Sequence, residues 1–186
     1  SFNTGNKLVG AYRFENSDGW LGTGHNALFE EDGEYYLTHN ARAGEDIYWS
    51  HLHVRKMVWT DDGWPVVSPG RYSGEKEQEV NEANIIGEWE QILLPRYDDS
   101  LQVSRNIQLK SNGKMEGDEK SHWKLTGDNT LELTIYDPDR APDDYWKYKL
   151  KVIPAWDWEN WNATLVFTGM DQEGTVLWGK KKVENK

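Results

Sequence analysis

The chain has 186 residues, a formal net charge of −11 from 32 acidic and 21 basic side chains, and no cysteine. A field of that sign repels phosphate backbones and anionic lipid surfaces, which argues against nucleic-acid and membrane partners. The missing thiols exclude disulfides and thiolate metal sites, and no apolar run approaches the ~18 residues of a membrane span. Only 37% of residues are apolar, yet 11 Trp, 9 Tyr and 4 Phe are among them, so any core must be unusually aromatic.

In chain order, strand signals dominate: short runs rich in β-branched and aromatic residues, punctuated by Gly, Asp and Asn. The first half offers KLVGAYRFE (7–15), NALFEE (26–31), EYYLTHNA (34–41) and HLHVRKMVWT (51–60). Asp32-Gly33 and Asp62-Gly63 are hairpin signals, the second leading into WPVV. Antiparallel runs joined this way make a meander, which is also one propeller blade. The polar stretch GEKEQEVNEAN (74–84) reads as a linker or boundary, with a short solvated helix as the alternative.

A second series follows: IIGEWEQILL (85–94), LQVSRNIQLK (101–110), SHWKLT (121–126), TLELTIY (130–136), YWKYKLKVI (145–153), ATLVFTG (163–169) and GTVLWGK (174–180). In TLELTIY the residues Leu131, Leu133 and Ile135 share one face of a strand. Many strands at this spacing, with no useful helical period, predict an all-β chain ending in an antiparallel sandwich or barrel.

His51 and His53 alternate in HLHVR and so share a strand face, a metal-like spacing that lacks a third ligand nearby. His25 follows Gly22-Thr23-Gly24, where the backbone can take unusual conformations. Local spacing leaves it open whether His25 is a ligand or a polar turn residue. The carboxylates of DPDRAPDD (137–144) and WDWEN (156–160) read as turn residues with solvated charges rather than a facing catalytic pair. Trp156, Trp158 and Trp161 either stack on sugar faces from a loop or plug the end of a barrel. No nucleophile elbow or phosphate loop occurs.

TGNKLVGAYRF, GTGHNALFEEDGEYYLTHNAR and LHVRKMVWTDDGWPVVSPGRYSGE together resemble the last part of the catalytic propeller of endo-α-1,5-L-arabinanases in glycoside hydrolase family 43. IIGEWEQILL, the NGK turn, HWKLTGDNTLELTI, VIPAWDWEN and FTGMDQEGTVLWGKK resemble the C-terminal β-domain that follows it. The resemblance implies residues 1–80 as the final blade of a five-bladed β-propeller and 81–186 as an accessory antiparallel β-sandwich or barrel-like domain. It further implies an inverting hydrolysis of arabinan or arabino-oligosaccharides by a secreted bacterial enzyme, with two Asp and one Glu in earlier blades. Those carboxylates are therefore expected outside this chain. A cation, usually calcium, is implied on the propeller axis, with His25 as its protein ligand. Asn26, His39 and Trp20 are expected as substrate contacts.

The chain opens SFNTGNK, without Met, and one blade has unpaired edges, so the N-terminal propeller portion is the expected partner. Two other classes stay open: a non-catalytic carbohydrate-binding module using the Trp156–Trp161 loop, and a lipocalin-like binder of an apolar ligand inside the second barrel.

Overall fold

The computed structural model describes residues 5–183 and is all-β apart from one four-residue helix. Thr4 of the opening motif lies outside the described residues. No described helix is long and apolar enough to cross a membrane.

The first body is a six-stranded sheet. It uses β1 (Tyr12–Arg13), β2 (Trp20–Glu31), β3 (Glu34–Ala43), β4 (His51–Trp59) and β5 (Pro65–Val67). Asp32 and Gly33 take positive φ in the tight turn between β2 and β3, as the Asp-Gly signal requires. The sheet is larger than a four-strand meander. The order is β5-β4-β3-β2-β1-β7, where β7 (Gln102–Val103) comes from the second half of the chain and runs parallel to β1. Strand β1 meets β2 only at Tyr12 opposite Trp20, so β2 beyond that point is an open sheet edge.

The polar stretch 74–84 leads into helix α1 (Glu82–Ile85), which Asn81 and Asn84 close with a reciprocal capping box. It is not a free linker: Val80 donates its N–H to Asn129 Oδ1, and Ile85 is fully buried in the second core.

The second body is a closed antiparallel barrel, which settles the choice between sandwich and barrel. Its strands are β6 (Gly87–Leu94), β8 (Arg105–Leu109), β9 (Lys114–Met115), β10 (Asp118–Thr126), β11 (Thr130–Tyr136), β12 (Tyr145–Asp157), β13 (Asn162–Asp171) and β14 (Val176–Lys181). The order is β10-β11-β12-β13-β14-β6-β8-β9 and back to β10. Leu131 and Leu133 point into its core, Ile135 packs against it, and Trp89, Leu109, Leu150 and Phe167 are fully buried beside them. The interior is packed with side chains, which counts against the third class, a binder of an apolar ligand inside the barrel.

A second core lies between the two bodies. Leu37, Met57, Val66 and Val67 of the sheet meet Ile92, Leu94, Met170, Val176 and Trp178 of the barrel, with Tyr12 and Phe14 between them.

Candidate functional site

Strand β2 is irregular where the GTGHN stretch lies. Leu21 pairs with Arg42, Gly24 with Asn40 and Ala27 with Thr38, so β2 advances three residues for every two on β3, twice in succession. Each step is a β-bulge, and one residue in each takes a left-handed conformation: Gly22 at φ +58° and His25 at φ +56°. Glycine adopts this without strain; a residue with a Cβ does so at a cost of about 1 kcal/mol. The bulges leave His25 and Asn26 exposed on the open edge of β2. Such re-aimed side chains cluster beside binding sites.

Behind that edge, β3 and β4 bury a polar layer. His39 is 1% exposed, with Nδ1 on its neighbour's carbonyl Asn40 O (2.9 Å) and Nε2 accepting from Arg55 Nε at 2.8 Å. The fully buried Arg55 also donates to the carbonyls of Ser68 and Pro69 and to Tyr12 Oη at 2.7 Å. Its guanidinium sits 5.0 Å from the Tyr12 ring centre and 5.2 Å from that of Trp178. Among the described residues no carboxylate pairs with it. Burial and then the Arg55 charge push His39 down to about 4, so the ring is neutral. His53, 2% exposed, has neither ring nitrogen hydrogen-bonded among the described residues, and burial followed by the Arg55 charge pushes it to about 2.

Trp20 roofs this layer, 4.3 Å from the His53 ring and 5.6 Å from that of the exposed His51. His51 and His53 thus share a face, as their spacing predicts, but both lie against an indole. Arg71, from the stretch linking sheet to barrel, lies between Trp20 (5.0 Å) and Trp158 (4.9 Å). Trp158 Nε1 donates to the Arg71 carbonyl at 3.0 Å, while Trp161 is 71% exposed. These tryptophans do not plug the barrel; they line the seam between the two bodies.

The WDWEN carboxylates correct the expectation of solvated turn charges. Asp157 is 3% exposed, and Lys180 contacts Asp157 (3.1 Å), Glu159 (2.9 Å) and Glu90 (3.4 Å) in a buried cluster. Burial raises Glu159 above the ordinary range, against the pull of Lys180. Burial also opposes ionisation of Asp157, yet the Asn160 hydrogen bond and the Lys180 charge hold it below its ordinary value. Carboxylates pushed apart in this way often mark acid–base chemistry. Here the adjoining cavity is only about 10 Å³, too small for any substrate, so the cluster is a structural lock.

Trp20, His39 and the bulge carrying His25 and Asn26 are brought to one end of the sheet. Among the described residues, no group of three His, Cys, Asp or Glu could hold a metal ion. A hard cation such as calcium takes six to eight oxygen donors, and the described residues gather no such set around His25. Arg55 and Arg71 were not signalled by any motif spacing.

Residues 69–179 match the family model described as the C-terminal lipocalin-like domain of glycoside hydrolase family 43. The chain belongs to that family. It is 30% identical to extracellular endo-α-(1→5)-L-arabinanase 2 of Bacillus subtilis (strain 168), over 95% of this chain and 38% of that protein. It is 25% identical to the extracellular endo-α-(1→5)-L-arabinanase of Thermotoga petrophila, over 95% of this chain and 39% of that one. A family 43 glycoside hydrolase structure from Bacillus licheniformis superposes with a TM-score of 0.86 at 29% identity, covering 98% of this chain and 40% of that chain. The Thermotoga petrophila arabinanase structure gives a TM-score of 0.87 at 24% identity, which speaks to the fold. The chain thus spans about two fifths of the length of the relatives it matches, at their C-terminal end.

Proposed function

We propose that this chain is the C-terminal portion of a secreted, inverting, arabinan-degrading glycoside hydrolase of the endo-1,5-α-L-arabinanase type. In this reading the sheet is the last blade of a five-bladed propeller and the barrel is its accessory domain, with the boundary near residues 80 and 81. The observation that carries it is the end-to-end match to the C-terminal portions of two proteins named extracellular endo-arabinanases. The surface agrees with it. Tyr48 is 89% exposed, Trp49 and Leu52 are each 70% exposed, and Leu28 is 63% exposed, an apolar load that suits coverage by the preceding blades.

The catalytic carboxylates belong to those earlier blades. His25, on the bulged open edge, contributes one imidazole to a calcium site completed by waters and by the rest of the enzyme. Bound there, calcium supplies positive charge that fixes the pocket and its neighbouring carboxylates. Asn26 and Trp20 contact the arabino-oligosaccharide. His39 has both nitrogens engaged and so acts from behind, by holding Arg55.

The test is arabinan hydrolysis by the chain alone and by the chain joined to the preceding propeller. The isolated chain is expected to be inactive, and the joined enzyme active. In the joined enzyme, His25→Ala is expected to weaken calcium binding, read by calorimetry, and to lower activity. Hydrolysis by the isolated chain would overturn the proposal.

A further inference from the structure

A cavity of about 790 Å³ lies away from the sheet, at one mouth of the barrel. It forms where β6, β11 and β13 end and β8, β12 and β14 begin. Its floor is closed by the filled core, so it is a cup and not a channel. Barrel mouths of this volume, lined by aromatic rings with a few polar groups, are a recurrent setting for small-ligand sites.

Three features show a built site. Tyr148 lines the cup and is only 6% exposed, yet its hydroxyl makes no hydrogen bond within the described residues. Trp146 is fixed in place: Nε1 donates to Asp137 Oδ2 at 2.8 Å, and the Arg140 guanidinium lies 4.7 Å from the ring centre. Tyr136 adds a third ring, held edge-on against Tyr145 at 5.6 Å. A pinned aromatic ring beside a hydroxyl that no described residue engages is a preorganised arrangement, in which a ligand immobilises little on binding.

The charges around the cup choose the ligand class. Two guanidinium groups, Arg96 and Arg105, and four carboxylates, Asp98, Asp137, Asp171 and Glu173, line it together. An anion would meet four carboxylates and a cation would meet two guanidinium groups. A neutral polyhydroxylated ligand can donate to the acids and accept from the arginines and the phenol at once. Its C–H faces suit the aromatic rings. We propose that the mouth of the barrel is a binding site for a neutral sugar residue, with Tyr148 and Trp146 as its central contacts. That the sugar is an arabinose unit of the same polymer rests on the proposed function; the site itself does not. The accessory domain then grips the polysaccharide at a point separate from the catalytic blades.

The experiment is titration of the protein with arabinotriose, xylotriose and dodecanoate, following tryptophan fluorescence and heat. Saturable arabinotriose binding is expected. Tyr148→Phe keeps the ring and removes only the hydroxyl, and should weaken binding about fivefold, as loss of one hydrogen bond does. Trp146→Ala should weaken it further, while Trp161→Ala, at the distant seam, should leave it unchanged. Thermal melting of each variant confirms that it is folded. Failure to bind either sugar, or binding that Tyr148→Phe and Trp146→Ala leave intact, overturns the site. Dodecanoate binding in place of sugar overturns the ligand class. Xylotriose binding without arabinotriose binding upholds the mouth site and counts against the arabinan reading. Arabinan hydrolysis by the joined enzyme with no sugar bound at the mouth does the reverse.

Discussion

His53 stands at the centre of the residue-scale chemistry, because it is buried beside a cationic arginine with two nitrogens that no described residue engages. The groups facing it are Arg55, Arg71, His39 and His51, and none carries a negative charge. His39 and His53 are both depressed from 6.5, to about 4 and about 2. Each therefore binds a proton more readily in the unfolded chain than in the folded one. Their stabilising contribution is complete above pH 6.5 and is lost as pH falls, through pH 4 for His39 and lower still for His53. In that window each histidine removes about 1.4 kcal/mol per pH unit. His53→Phe keeps a ring against Trp20 and discards the titration. Thermal melts of this variant between pH 7.5 and 4 are expected to show roughly half the wild-type loss of Tm. A variant as acid-sensitive as the wild type would mean that some other group governs the acid limb.

At the scale of elements, the regular strands were legible and the irregular ones were not. TLELTIY coincides with β11 because alternation is a direct record of one face buried in a barrel. Strand β2 begins six residues earlier than NALFEE, at Trp20, because its two bulges break the alternation and their glycines read as a turn. The β1–β7 pairing is two residues long and joins segments some ninety apart, so it has no local signature. Likewise, His25 was visible as an oddity of GTGHN, but the His39–Arg55 bond depends on strand register, which spacing alone does not give. Glycine inside strands carries a further constraint. Gly179, on β14, faces the ring of the fully buried Phe167, and a Cβ there would collide with it. Gly179→Ala must displace Phe167 and reopen the barrel core, at a cost of about 3 kcal/mol. Urea titration should place its midpoint well below wild type; an unchanged midpoint would mean that the core has slack where the packing shows none.

For the whole molecule, the seam between sheet and barrel decides whether the two bodies behave as one. They share an apolar core, and three cations stitch its edges: Arg55 into Tyr12 and Trp178, Arg71 between Trp20 and Trp158, and Lys180 into Glu90, Asp157 and Glu159. The barrel has a closed hydrogen-bond ladder and a filled interior of its own, whereas the sheet has an open edge and depends on this seam. Loss of the seam should therefore harm the sheet first. Arg55→Met retains most of the buried stem but leaves His39 Nε2, two carbonyls and the Tyr12 hydroxyl without their donor. Breaking such a buried network costs about 3–5 kcal/mol. In wild type, amide exchange of β2–β4 and of β10–β13 is expected to reach a common limit, as one cooperative unit does. In Arg55→Met, the β2–β4 amides should exchange at least a hundredfold faster, while those of β10–β13 keep most of their protection. Equal acceleration in both bodies would show a single unit that the seam does not divide. No acceleration in either would show that Arg55 is a passenger in its own core.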